Sequence, residues 1–291
     1  MLFQRPRPAF GRTSLLRAGA SVVAIVVTAC SLASGNTVAS PESGLHAASP
    51  APRFSVVGAS IQTLPASTTV VKPKHYAASS LLSVVNQDDI HADQRILADQ
   101  VLRALPSWCR DNLKNFYVTY DPHASNRGLG GEDTIIVIGT VPANEFRALV
   151  THECGHVSDL GGLRGTPNAG QSGFFDGNQP IFRNDPSVAF YQISWITGTI
   201  NQPNTKATDF VSGYAESDPF EDFAETFAFY ALHKKEFQRL AKANPVLKAK
   251  YDFMDLVVFS GNPEIASSTY KRGSRVPWDV TKLPYVWHAK K

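Results

Sequence analysis

His152-Glu153-Cys154-Gly155-His156 makes chemical sense on a helix. Positions four apart share a helix face, so a helical segment turns both imidazoles toward one ion. Glu153 is turned about 100° from His152, where it reaches a water beside the ion rather than the ion itself. The flanking sequence agrees: Phe146, Leu149, Val150 and Val157 offer apolar surface, and Pro142 opens a helical pattern running to about Asp159. TIIVIG at 134–139, the strongest strand signal in the chain, precedes it. Two ordinary helix histidines with a salt-bridging glutamate are the plain alternative.

Two histidines do not complete a site, because a catalytic zinc takes three protein ligands and keeps one position open. The best supplement lies in SGYAESDPFEDFAETF, residues 212–227. Asp218 suits an N-cap and Pro219 the first helical position, which predicts a helix from there to about Leu240. Glu221 and Glu225 share one face, and Phe220, Phe223, Ala224 and Phe227 anchor the helix in a core. Both glutamates compete for the ligand position, with Asp222, Asp159 and His233 as further candidates. Glu221 also suits a capping-box bond back to Asp218. His123 reads as a polar residue near a turn, and His46, His75, His91 and His288 have no partner pattern.

The blocks HECGHVSD at 152–159 and SGYAESDPFEDFAETF at 212–227 resemble gluzincin-type zinc metallopeptidases. Within that class they are similar to the family of the anthrax lethal factor catalytic domain. In its pattern a Tyr stands seven residues before the ligand Glu and a second Glu four after it; Tyr214, Glu221 and Glu225 fill these places. The resemblance implies one Zn2+ per chain with His152, His156 and Glu221 as ligands, Glu153 as general base and Tyr214 as donor to the developing oxyanion. Glu225 would support a ligand imidazole. It further implies a zinc-dependent endopeptidase acting on a peptide or protein substrate by Glu-assisted attack of a zinc-bound water. The implied fold is α+β and zincin-like, a small sheet beside the HExxH helix and a second glutamate-bearing helix. A catalytically inactive cell-envelope interaction protein on this fold is the alternative. The resemblance lies within about residues 145–235, so substrate preference is not carried over.

The remaining elements are simple in outline. Apolar residues at helical spacing predict a helix over 88–105, ended by Pro106. FYVTY at 116–120 reads as a strand, and NRGLGG at 126–131 as a turn or loop. TIIVIG is the expected sheet edge for an extended substrate. Residues 161–186 read as a glycine-rich loop, with Phe174 and Phe175 either walling the cleft or seeking the core. Further helices are expected at 187–200 and 246–259. Cys109 and Cys154 either form a disulfide or leave Cys154 as a small buried filler.

Four arginines and no acid precede an apolar run in residues 1–29, the layout of a secretory signal. Val27-Thr28-Ala29-Cys30 resembles a bacterial lipobox, which implies a lipidated Cys30, membrane attachment and an extracytoplasmic, cell-envelope location; secretion without lipid is the alternative. Residues 30–80, rich in Ser, Ala, Thr and Pro, read as a tether, and 81–291 as the metallopeptidase domain. Removing 1–29 lowers Lys+Arg from 28 to 24 against 25 Asp+Glu, so the basic whole-chain balance gives no argument for nucleic acid. Oligomeric state is left open.

Overall fold

The computed structural model describes residues 80–121, 123–124, 126–261 and 265–288. The predicted signal, Cys30 and the tether up to residue 79 lie outside the described residues.

Helix α1 covers Ala92–Ala104 and starts later than its apolar spacing suggests. His91 is extended (ψ 141°), and its N–H donates to the Tyr120 hydroxyl at 2.8 Å, so the residues before it form a turn against the sheet. Helix α2, Ser107–Asn112, follows Pro106. Strands β1 (Asn115–Thr119), β2 (Gly128–Gly130) and β3 (Thr134–Ile138) form one sheet in the order β1-β3-β2, parallel between β1 and β3 and antiparallel between β2 and β3.

This order corrects two expectations. TIIVIG is the central strand, not an edge; the edges are β1 and β2, the latter inside the stretch that reads as a loop. The physical reason is how closely β2 lies on the next helix, α3 (Ala143–His156). A Cβ at Gly128 would fall 1.9 Å from Glu153 Oε1, and one at Gly130 would fall 2.7 Å from His156 Cβ. Glycine in a strand marks such an approach and hides the usual strand signature.

Helix α3 is buried on almost every side from Ala148 to His156 and continues as a π-helical turn, Val157–Gly162. The predicted loop beyond it contains a hairpin, β4 (Gln171–Asp176) with β5 (Gln179–Phe182). Gly173 and Gly177 take positive φ there, so glycines suggestive of a loop serve the hairpin's bulge and turn. Helix α4 (Pro186–Ser194) is shorter than the apolar segment, whose remainder forms β6 (Trp195–Thr197) and β7 (Ile200–Asn201).

Helix α5 runs Pro219–Ala241, and Asp218 accepts from the N–H groups of Phe220 and Glu221 as its cap. It crosses α3 at contact distance: a Cβ on Gly155 would meet Ala224 Cα at 2.8 Å. Phe223, Ala224 and Phe227 are fully buried, and Phe223 and Phe227 share one core with Phe116, Ile135, Val137 and Phe146. The helix kinks at His233 (φ −132°, ψ 31°), whose Nδ1 lies 2.7 Å from Ser268 Oγ. Helix α6 covers Pro245–Phe253, and the rest of its predicted span is a π-helical turn, Met254–Val258. Strands β8 (Ala266–Ser268) and β9 (Tyr285–Trp287) close the fold. No helix among the described residues is long and apolar enough to cross a membrane.

Cys109 of α2 and Cys154 of α3 are joined, which decides for the disulfide over the free filler. The bond closes a separation of 45 residues. Replacing both cysteines by alanine is expected to lower the unfolding free energy by about 3–4 kcal/mol, the chain-entropy value for such a loop. Urea titration at equilibrium would measure it; a loss under about 1 kcal/mol would mean that packing alone holds α2 on α3.

Candidate metal centre

The Gly155–Ala224 crossing sets two short rows of side chains face to face. Helix α3 contributes His152, Glu153 and His156, and α5 contributes Glu221 and Glu225. Glu221 Oε2 lies 3.2 Å from His152 Nε2 and 3.4 Å from His156 Nε2. One ligand atom from each of these three residues falls within 4.8 Å of the others.

This donor set fits a zinc ion on three grounds. Two imidazole nitrogens and a carboxylate oxygen are zinc ligands, and atoms about 2.0–2.1 Å from a tetrahedral ion stand about 3.3–3.4 Å apart. Glu221 Oε2 is also buried and accepts no hydrogen bond, an orphaned acceptor aimed at both imidazoles. The capping-box alternative for Glu221 is not realised: its backbone N–H takes the cap, while its carboxylate accepts from Tyr214 Oη at 2.9 Å through Oε1.

Glu225 is fully buried behind His152. Its Oε1 accepts from His152 Nδ1 at 2.9 Å, which leaves Nε2 as the nitrogen facing Glu221. Its Oε2 accepts from Ser212 Oγ and from the Val280 N–H, the latter at 2.9 Å. Burial pulls the His152 pKa down, but the carboxylates of Glu221 and Glu225 outweigh it and hold the imidazole well above its usual range. Burial would raise Glu221, but the two imidazoles hold its carboxylate well below the ordinary value. Glu153 is pushed up by burial, against the pull of both histidines.

The remaining candidates serve elsewhere. Asp222 is buried against Lys250 Nζ, at 2.8 and 2.7 Å, and accepts from Trp195 Nε1. Asp159 accepts from the Tyr191 hydroxyl at 2.7 Å, and burial pushes its carboxyl up to about 7. His233 sits at the helix kink. Phe174 is buried against Tyr191 and Phe175 is exposed; neither lines the cleft.

The three-residue cluster opens into a cleft of about 360 Å³. One side is β2. Arg127 O accepts from Ile138 N and Gly131 N donates to Thr134 O, so by antiparallel alternation the main-chain groups of Gly128 and Gly130 face the open edge. The other side is Tyr214, backed by a segment from far along the chain. Pro277 O and Trp278 O accept from the N–H groups of Gly213 and Tyr214, both at 2.8 Å. Arg127 is clamped by Glu145 at 2.9 Å, Thr281 at 3.1 Å and Asp279. Arg127, Ser212 and residues 277–281 escape sequence reasoning. The resemblance stops short of residues 277–281, and a main-chain donor such as Val280 N leaves no mark in residue type.

An α+β fold with HExxH on one helix and a further carboxylate presented by a second is a zincin-like arrangement. No family model, no curated protein and no solved structure matches the chain, so what the site does is read from its own residues.

Proposed function

We propose that the chain is a zinc-dependent endopeptidase of the gluzincin type, related in mechanism to the lethal factor catalytic domain. The observation that carries this reading is the meeting of His152, His156 and Glu221, with Glu153 beside them, in a cleft bordered by a free strand edge. On this reading His152, His156 and Glu221 hold the ion, and Glu225 fixes the tautomer and orientation of His152. Zinc, when bound, polarises the scissile carbonyl and acidifies water. Glu153 takes the proton from the attacking water and returns it to the leaving amine. Tyr214 presents its hydroxyl to the charge growing on the carbonyl oxygen. Gly128 and Gly130 pair their outward main-chain groups with an extended substrate, which aligns it across the site.

The disulfide favours an oxidising, extracytoplasmic setting. We extend the proposal to envelope attachment through a lipidated Cys30.

The test is metal content by elemental mass spectrometry on the purified protein. The expected result is about one zinc per chain in the wild type and none retained by a folded His156→Ala variant after dialysis. Chelation should abolish cleavage of an unstructured protein and zinc should restore it. A folded wild type that holds no metal would overturn the reading.

A further inference from the structure

We propose that a basic face, formed by the end of α5 and the loop at 271–275, docks the protein on a bilayer of anionic lipid. The inference uses no part of the metal centre and goes beyond the peptidase reading.

Charge is divided unevenly along the chain. Residues 81–233 hold 9 Lys+Arg against 19 Asp+Glu, and residues 234–291 hold 12 against 5. A near-neutral total therefore hides a basic C-terminal part. The fold gathers some of it in one place. Arg239 and Lys242, three apart at the end of α5, share one side of it. The 271–275 loop lies against them: Arg239 Nη2 donates to Arg272 O at 3.1 Å, and the Arg272 N–H donates to Glu236 Oε1 at 2.8 Å. Arg272 Nη2 and Asn244 Nδ2 both reach Thr208 O, at 3.4 and 3.2 Å, which brings the chain just past Lys242 to the same spot.

Little on this face neutralises it. Glu236 is 5% exposed and is taken up by Arg239, at 2.8 and 2.6 Å. Arg272 donates to two carbonyls, Phe210 O and Thr208 O, rather than to a carboxylate. Lys242, Lys271 and Arg275 are exposed and form no ion pair among the described residues. The helix dipole favours a cation in a last turn and so accounts for Arg239, but Lys271 and Arg275 stand on a loop. Like charges gathered in this way repel one another until an anionic surface offsets them. A leaflet of anionic headgroups is such a surface, and it meets several cations at once. The proposed lipid on Cys30 would hold the domain within reach of one, where weak contacts add to the anchor.

The test is co-sedimentation of the full chain, carrying Cys30→Ser to remove the lipid acceptor, with vesicles of phosphatidylcholine alone or mixed with phosphatidylglycerol. Each cation near an anionic leaflet is worth about a factor of five. Partitioning into the anionic vesicles is therefore expected to exceed that into neutral ones by about 20-fold or more at low salt, and to weaken as salt is raised. Lys242→Glu/Lys271→Glu should lose about 20-fold, and the milder Lys242→Gln/Lys271→Gln about fivefold or more. Lys114→Glu/Arg183→Glu, a control with the same net charge as the first pair, should stay within about threefold of the parent. Circular dichroism checks that each variant is folded. Equal partitioning into the two kinds of vesicle would overturn the proposal, and so would equal losses in the two reversed pairs. Binding to soluble polyphosphate but to neither vesicle would overturn it too, by making the face a site for a dissolved polyanion. None of these residues lines the cleft, so cleavage of a soluble peptide should be the same in every variant. A chain that partitions as expected but cuts nothing sinks the peptidase reading alone.

Discussion

Glu153→Gln is expected to keep its zinc and lose a factor of about 10²–10⁴ in kcat, the range for removing a positioned general base. The substitution keeps the size of the side chain and removes only its ability to accept a proton. Space demands such an isostere: Glu153 is 3% exposed and packs against β2 so closely that Gly128 has no room for a Cβ. The readout is kcat on an unstructured protein substrate, with zinc content and far-ultraviolet circular dichroism as controls. Retained zinc with lost turnover assigns the base. Full activity in the Gln variant would remove Glu153 from the chemistry and leave the cluster a binding or structural site.

Lys250→Met is expected to produce the largest loss of stability. Lys250 and Asp222 are both fully buried and paired at 2.7 Å. Burial pushes the Asp222 carboxyl up and the Lys250 ammonium down, and each is the other's chief counterweight. Removing the lysine strands a buried carboxylate next to Glu221, at a cost of about 3–5 kcal/mol. For a domain of this size that is roughly 6–20 °C in Tm. Asp222→Asn combined with Lys250→Met should recover most of it, because an amide oxygen still accepts from Trp195 Nε1, which donates to Asp222 at 3.1 Å. Calorimetry on the single and double variants measures both. A loss under about 1 kcal/mol in Lys250→Met would mean that Asp222 is already neutral in the folded protein.

The legible part of the molecule was what periodicity and residue type encode. His152 and His156 sit at one helical turn's spacing, Asp218-Pro219 marks a helix start, and the aromatics of α5 mark its buried face; all three are read from neighbours in sequence. What escaped reading is tertiary. Gly128 and Gly130 look like loop residues because the reason for them is the helix they lie on. The edge role passed from TIIVIG to β2 for the same cause, since only the pairing order shows which strand is enclosed. The kink at His233 lies where its imidazole meets Ser268, 35 residues away. The wall formed by residues 277–281 meets Tyr214 and Glu225 through main-chain groups, which carry no residue signature.

That wall has a consequence for how the protein is made. The N–H of Val280 reaches Glu225 from 55 residues further along the chain. A chain growing from its N-terminus therefore exposes both histidines and both glutamates well before Glu225 gains its last donor, Tyr214 its backing segment and Arg127 its clamp. A polypeptide interrupted ahead of residue 277 carries the whole recognisable motif and an unfinished site. Competence at this centre arrives late in synthesis, after the part of the sequence that announces it.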